Sequence, residues 1–163
     1  MKRKGKGAER RVVLLLHNIR SAHNVGSIFR TADASGAERI LLSGYCPLPV
    51  DRFGGVQKEI AKTALGAERY ILWEYAKTPN GFIKKMKADG WRIVGVEQDA
   101  RAKSFRELKC GKKTLFLLGN EVKGLSGALR DQCDELVEIP MRGKKESLNV
   151  SVVAGIVLYA AFQ

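Results

Sequence analysis

The chain has 163 residues, 45% of them hydrophobic, and a formal net charge of +12. That size and apolar share imply one globular domain with a full core and exclude a disordered or low-complexity chain. No apolar run approaches the roughly 20 residues of a helical bilayer span. The charge suits a polyanionic partner, since each phosphate neutralised by Lys or Arg releases counterions, although a merely solubilising surface would give the same sum.

The first eleven residues, MKRKGKGAERR, hold six Lys or Arg and one Glu, so residues 1–11 are expected to form a basic, flexible tail. One domain, residues 12–163, should follow. The VVLLL behind the tail is too short for a signal-peptide core and no small-residue cleavage site follows it, so a cytoplasmic location is expected. Val12–Leu16 reads as a buried strand. Val25, Ile28, Phe29 and Ala32 then recur at helical spacing, with Asn24 as N-cap and Gly36 as the stop. Arg39–Ser43 is the next strand, and the loop GYCPLPVDRFGG leads into a helix near 56–64. A short strand is expected at Tyr70–Glu74, a basic helix from Pro79 to about Ala88, and strands at Arg92–Glu97 and Thr114–Gly119 with an irregular stretch between them. Ser126–Gln132 reads as a helix, Leu136–Ile139 as a strand, and Ser147 to Phe162 as a final helix, apolar nearly all round and therefore buried on more than one side.

This alternation predicts a single α/β domain with a mostly parallel sheet flanked by helices. In such sheets ligands bind beyond the carboxyl ends of the strands. Three stretches fall there: the start of the Asn24 helix, the loop GNEVKGLS, and IPMRGKKESLN.

Familiar chemistries fail one by one. There is no GxGxxG after a strand. Gly119 and Gly124 have the spacing of a P-loop, but Leu125 stands where the phosphate-binding lysine belongs. No GxSxG elbow is present. His17 and His23 have no partners at metal-ligand spacing, and Cys46, Cys110 and Cys133 make neither a zinc pattern nor a disulfide framework, so no metal and reduced thiols are expected. What remains is backbone, glycines, amides, one carboxylate and one arginine. That inventory suits a neutral-to-cationic adenosine compound held by main-chain groups, and equally an arginine acting on a phosphodiester.

Three blocks, HNIRSAHNVGSIFRTADASGAERILL, LFLLGNEVKGLS and IPMRGKKESLNVSVVAGIVLY, follow one another at set distances and span nearly the whole chain after the tail. In this they resemble the SpoU/TrmH branch of the SPOUT superfamily, the trefoil-knotted RNA 2'-O-methyltransferases that use S-adenosylmethionine. The resemblance implies a C-terminal trefoil knot in the α/β domain, a homodimer, and an rRNA or tRNA substrate.

It also implies roles. Arg30 matches the catalytic arginine, either accepting the ribose hydroxyl proton or clamping an RNA phosphate, and Asn24 supports it. Glu121 matches a glutamate that orders the site by hydrogen bonding. Ser147 and Asn149 match polar residues near the reacting hydroxyl, although Ser147 would serve equally as the N-cap of the last helix. The cofactor pocket falls on Gly119, Gly124, Ile139, Met141 and Leu148, with Val96 and Leu118 at neighbouring strand ends. An alternative of another class is a knot-fold RNA-binding or ribosome-assembly module with little catalysis. The presence of Arg30, Glu121, Ser147 and Asn149 argues against it. Neither the C-terminal extension of tRNA-specific members nor the N-terminal recognition domain of some ribosomal ones is seen. Substrate choice is therefore expected to rest on the tail, the Phe82–Lys87 helix, the Arg142–Lys145 loop and the dimer groove.

Overall fold

The computed structural model describes residues 10–163. The basic tail expected over residues 1–11 lies outside them as far as residue 9. Arg10 already belongs to the domain, its guanidinium donating to the carbonyls of Ala161 (2.8 Å) and Gln163 (2.7 Å).

The apolar run VVLLL forms β1 (Arg11–His17), whose side chains alternate between two cores. Val12, Leu14 and Leu16 enter one, Val13 and Leu15 the other. A strand covered on both faces needs apolar residues at every position, which is why it reads as a continuous run. The same logic builds β6 (Lys113–Leu118), with Phe116 and Leu118 on one side and Leu115 and Leu117 on the other.

The remaining strands are β2 (Arg39–Ser43), β3 (Leu72–Ala76), β4 (Arg92–Val96), β5 (Lys103–Ser104) and β7 (Glu135–Glu138). Their order across the sheet is β3-β2-β1-β6-β4-β7-β5, and every pairing is parallel. The expected "mostly parallel" sheet is thus wholly parallel. Helices α1 (Ala22–Ser35), α2 (Lys58–Ala64) and α5 (Val150–Ala161) pack on one face, through residues such as Phe29, Ile60 and Leu158. Helices α3 (Asn80–Ala88) and α4 (Gly127–Gln132) cover the other through Ile83, Met86 and Leu129.

The sequence reading needs four corrections, each with a local cause. Ser21, not Asn24, caps α1: its hydroxyl accepts from the Asn24 N–H at 3.1 Å, which places Asn24 inside the first turn with its amide free for other partners. Asn149, not Ser147, caps α5, accepting from the Ser151 N–H at 2.8 Å, so the helix begins at Val150. Strand β3 starts two residues later than expected because Ala67–Arg69 forms a 3-10 turn that buries Ala67 and leaves Tyr70 exposed. Helix α2 starts at Lys58, since Val56 pairs with Val50 across the loop before it. Gly36 ends α1 as expected, at φ 83° with its N–H on the Ala32 and Asp33 carbonyls.

Candidate ligand-binding cleft

A cleft of about 310 Å³ opens beyond the carboxyl ends of β4, β6 and β7. Val96, Glu97 and Gln98 line it from the end of β4, and Ile139 and Met141 from the segment after β7. Leu118, Gly119 and the loop to Gly124 form a wall from β6, and Ser147, Leu148, Val150 and Val153 close it from the start of α5. The order β6-β4-β7 is what brings these ends side by side.

The wall is held by two residues. Asn120, 9% exposed, accepts from the Val122 and Lys123 N–H groups through Oδ1 (2.9 and 2.8 Å), and its Nδ2 donates to the Asn18 carbonyl at 3.0 Å. Glu97 accepts from the Leu125 N–H at 2.7 Å and the Gln98 N–H at 2.9 Å. Only glycine fits at two points between them. A Cβ on Gly119 would stand 2.6 Å from the carbonyl carbon of Gly124, and Gly124, at φ 63°, would drive one into the Glu97 carboxylate.

Behind the wall a polar chain joins all three sequence blocks. The Glu121 carboxylate accepts from the backbone N–H groups of Arg20 and Ser21 at 3.1–3.2 Å, where α1 begins, and from the Asn24 amide at 3.4 Å. Asn24 Oδ1 in turn accepts from Asn149 Nδ2 at 3.1 Å. Burial pushes the Glu121 carboxyl up, but the backbone N–H groups of Arg20, Glu121 and Ser21 and the Asn24 amide outweigh it and hold it below its ordinary value. The carboxylate is therefore charged at neutral pH, where the start of a helix favours it.

All seven residues expected at the cofactor line this cleft, as do Glu121 and Ser147. Asn24 and Asn149 stand just behind, bonded to each other and, through Asn24, to Glu121. Arg30 is apart: it is exposed on α1, opposite the buried Val25, Ile28 and Phe29, and it does not line the cleft. Sequence reasoning missed Glu97, Gln98 and Asn120. Glu97 and Gln98 directly follow a buried strand on the sheet's carboxyl edge, and that position was the available signal.

Four glutamates, Glu97, Glu121, Glu138 and Glu146, and no Lys or Arg are among the lining residues, in a chain of net charge +12. A triphosphate would meet the wrong charge here, whereas a cationic adenosine compound would meet the right one. The glycine-walled, amide-rich and acidic cleft therefore fits S-adenosylmethionine, whose sulfonium and ammonium exceed its single carboxylate. Among the described residues no group of three or more His, Cys, Asp or Glu is placed to hold a metal ion, and no helix is long and apolar enough to cross a membrane.

Fold and cleft together define an all-parallel α/β protein with a ligand site at the carboxyl edge of its sheet. The chain belongs to the SpoU rRNA Methylase family, whose model matches residues 11–159. YacO of Bacillus subtilis, named for the TrmH family of tRNA/rRNA methyltransferases, is 34% identical over 150 residues. That match covers 92% of this chain and 57% of YacO, so the chain spans a little over half the length of such relatives. Among solved structures, an AdoMet-bound rRNA methyltransferase from Sinorhizobium meliloti superposes with a TM-score of 0.85 at 31% identity, over 94% of this chain and 56% of that one. The SpoU methyltransferase AviRb from Streptomyces viridochromogenes gives 0.81 at 29%, over 94% and 59%.

Proposed function

We propose that the chain methylates a ribose 2'-hydroxyl in RNA, rRNA or tRNA, with S-adenosylmethionine as donor. The observation that carries this reading is the acidic, glycine-walled cleft at the carboxyl edge of the sheet of an otherwise basic family member. The AdoMet bound by the Sinorhizobium and Streptomyces relatives supports it, as does the name RNA 2'-O ribose methyltransferase carried by a solved relative of TM-score 0.82 at 25% identity.

When bound, S-adenosylmethionine supplies an activated methyl group on a cationic sulfonium. The chain's own residues bind and position. Main-chain groups at Gly119, Ile139, Met141 and Leu148, with Val96, Leu118 and Gly124 beside them, hold the adenosine. The glutamates among the lining residues match the cationic charge. Ser147, freed from capping α5, faces the cleft and is available to orient the incoming hydroxyl. Glu121, Asn24 and Asn149 lock the loop after β6 to the starts of α1 and α5, so that floor and wall keep one geometry. Such positioning supplies much of the rate, because an in-line reaction gains most from orientation.

Arg30 accepts the hydroxyl proton or clamps the adjoining phosphate. Its place outside its own chain's cleft supports a homodimer as part of the proposal, with RNA spanning both copies. The exposed apolar residues Leu148, Val152, Tyr159 and Phe162 at and around α5 supply a surface for such an interface. The β1-β6-β4-β7 order, in which the chain crosses back past β4 to reach β7, accords with a C-terminal trefoil knot. A cytoplasmic location follows from the RNA substrate.

The test is tritium transfer from labelled S-adenosylmethionine to bulk RNA. Wild type should label RNA, and Arg30→Ala should lose at least about a hundredfold while still binding S-adenosylhomocysteine. Equal background labelling by both proteins, with RNA binding intact, would favour the binding-module alternative.

A further inference from the structure

A second cavity, of about 420 Å³, lies beside the cleft and is lined by Arg20, Tyr45, Asn120, Val122 and Lys123. Asn120 and Val122 line both spaces, so the two are contiguous. We infer that this cavity is a nucleotide subsite, in which a base of the RNA next to the modified nucleotide stacks on Tyr45 while Arg20 and Lys123 hold its phosphate. The inference rests on the RNA methyltransferase reading.

Tyr45 is 56% exposed yet fixed at both its backbone and its hydroxyl. Its backbone N–H donates to Asn18 Oδ1 at 3.1 Å, and its hydroxyl accepts from Asn120 Nδ2 at 2.9 Å. Asn18 itself is held at φ 57°, and the Gly44 carbonyl before Tyr45 accepts from the Tyr75 hydroxyl at 3.0 Å. A large aromatic surface that is already immobilised loses little entropy when a partner stacks on it. A tyrosine serving only to brace the loop after β6 would not need to leave more than half its surface in water.

The charges around the ring are available. Among the described residues neither the Arg20 guanidinium nor the Lys123 ammonium has a hydrogen-bond or ion-pair partner, while the adjacent Glu121 carboxylate is committed to backbone N–H groups and Asn24. An aromatic platform flanked by two unpaired cations is the combination that single-stranded nucleic acid recognises. The cleft itself carries carboxylates and no cation. A phosphate is thus drawn to the Tyr45 side, leaving the ribose to enter the acidic space.

The probes are a 12-nucleotide oligoadenylate and its abasic counterpart of equal length and charge, with binding followed by fluorescence anisotropy. Wild type should prefer the oligoadenylate. Tyr45→Ala should weaken that complex about 5- to 150-fold and leave the abasic complex unchanged. Tyr45→Phe, which keeps the ring, should retain most of the preference. Arg20→Gln with Lys123→Gln should weaken both complexes and reduce the salt slope.

A wild type indifferent to the bases, or a Tyr45→Ala protein that binds oligoadenylate undiminished, would overturn the inference. A second measurement needs no variant. Photocrosslinking of wild type to a 4-thiouridine-substituted 12-mer should place adducts in the tryptic peptide of residues 40–52, and adducts confined elsewhere would count against it. Neither binding experiment depends on methyl transfer. An inactive wild type that still shows Tyr45-dependent stacking therefore removes the enzymatic reading alone, and an active one without it removes the subsite alone.

Discussion

Glu121→Gln is the substitution on which the polar chain behind the cleft is most exposed. Three donors converge on one carboxylate: the N–H groups of Arg20 and Ser21 at the start of α1, and the Asn24 amide. A glutamine of the same shape offers one oxygen and one NH2 group, so one donor must face another. Charge-assisted hydrogen bonds contribute about 1.5–3 kcal/mol each in dry sites. Glu121 is only partly buried, so the whole substitution should cost about 1–3 kcal/mol, or roughly 2–12 °C in Tm for a domain of this size. The pH dependence separates this account from a general loss of fit. A carboxyl held below its ordinary value contributes stability that is fully present above the unfolded value and is lost as pH falls through the folded one. Protonated Glu121 is neutral, as glutamine is. Urea unfolding of both proteins should therefore show a gap at pH 7 that closes as the pH drops below about 4.3 and onward through the folded value. A gap of the same size at pH 7 and pH 3, or none at pH 7, would refute the carboxylate's part in fastening the loop to α1.

Two further substitutions probe the cleft and the polar chain behind it. Gly119→Val places a branched side chain where even a Cβ would stand 2.6 Å from the Gly124 backbone, so the loop must shift. Calorimetry should show S-adenosylhomocysteine affinity reduced about 5- to 150-fold with the far-ultraviolet circular dichroism unchanged, and undiminished affinity would count against the pocket. Asn149→Ala removes the α5 cap and the bond to Asn24 together; chemical denaturation should register a loss of about 0.5–2 kcal/mol, with methyl transfer falling as well.

The sheet was legible because parallel strands buried on both faces leave an unmistakable trace: VVLLL and LFLL admit hardly any other reading. The caps were not, and for a shared reason. Asn24 and Asn149 are good capping residues by type, but so are Ser21 and Ser147 nearby. Which of each pair takes the helix end depends on contacts more than a hundred residues away in sequence, such as Asn149 Nδ2 on Asn24. Ser21 caps α1 and frees Asn24 to bridge, while Asn149 caps α5 and bridges as well, leaving Ser147 to the cleft. Local propensity is symmetric between such neighbours, and tertiary partners break the tie. The glycine wall of the cleft was legible from its glycines and from the resemblance. Glu97 was marked only by its position after a buried strand, and its part in the wall shows only in the Leu125 N–H 2.7 Å from its carboxylate.

The distribution of charge gives the two halves of the proposed reaction separate addresses. A single basic surface would draw RNA phosphates as readily into the cleft as onto its rim, and would repel a sulfonium from the same space. Here four glutamates are among the lining residues, while Arg20 and Lys123 stand on one rim and Lys144 and Lys145 follow the Ile139–Met141 edge on the other. On the proposed reading, the rim cations would hold the phosphates of neighbouring nucleotides outside, and a neutral sugar hydroxyl would approach the donor without the penalty a phosphate meets among the glutamates. The proposal thereby ties selection of a ribose oxygen over a phosphate oxygen to the placement of the glutamates, before any base is read.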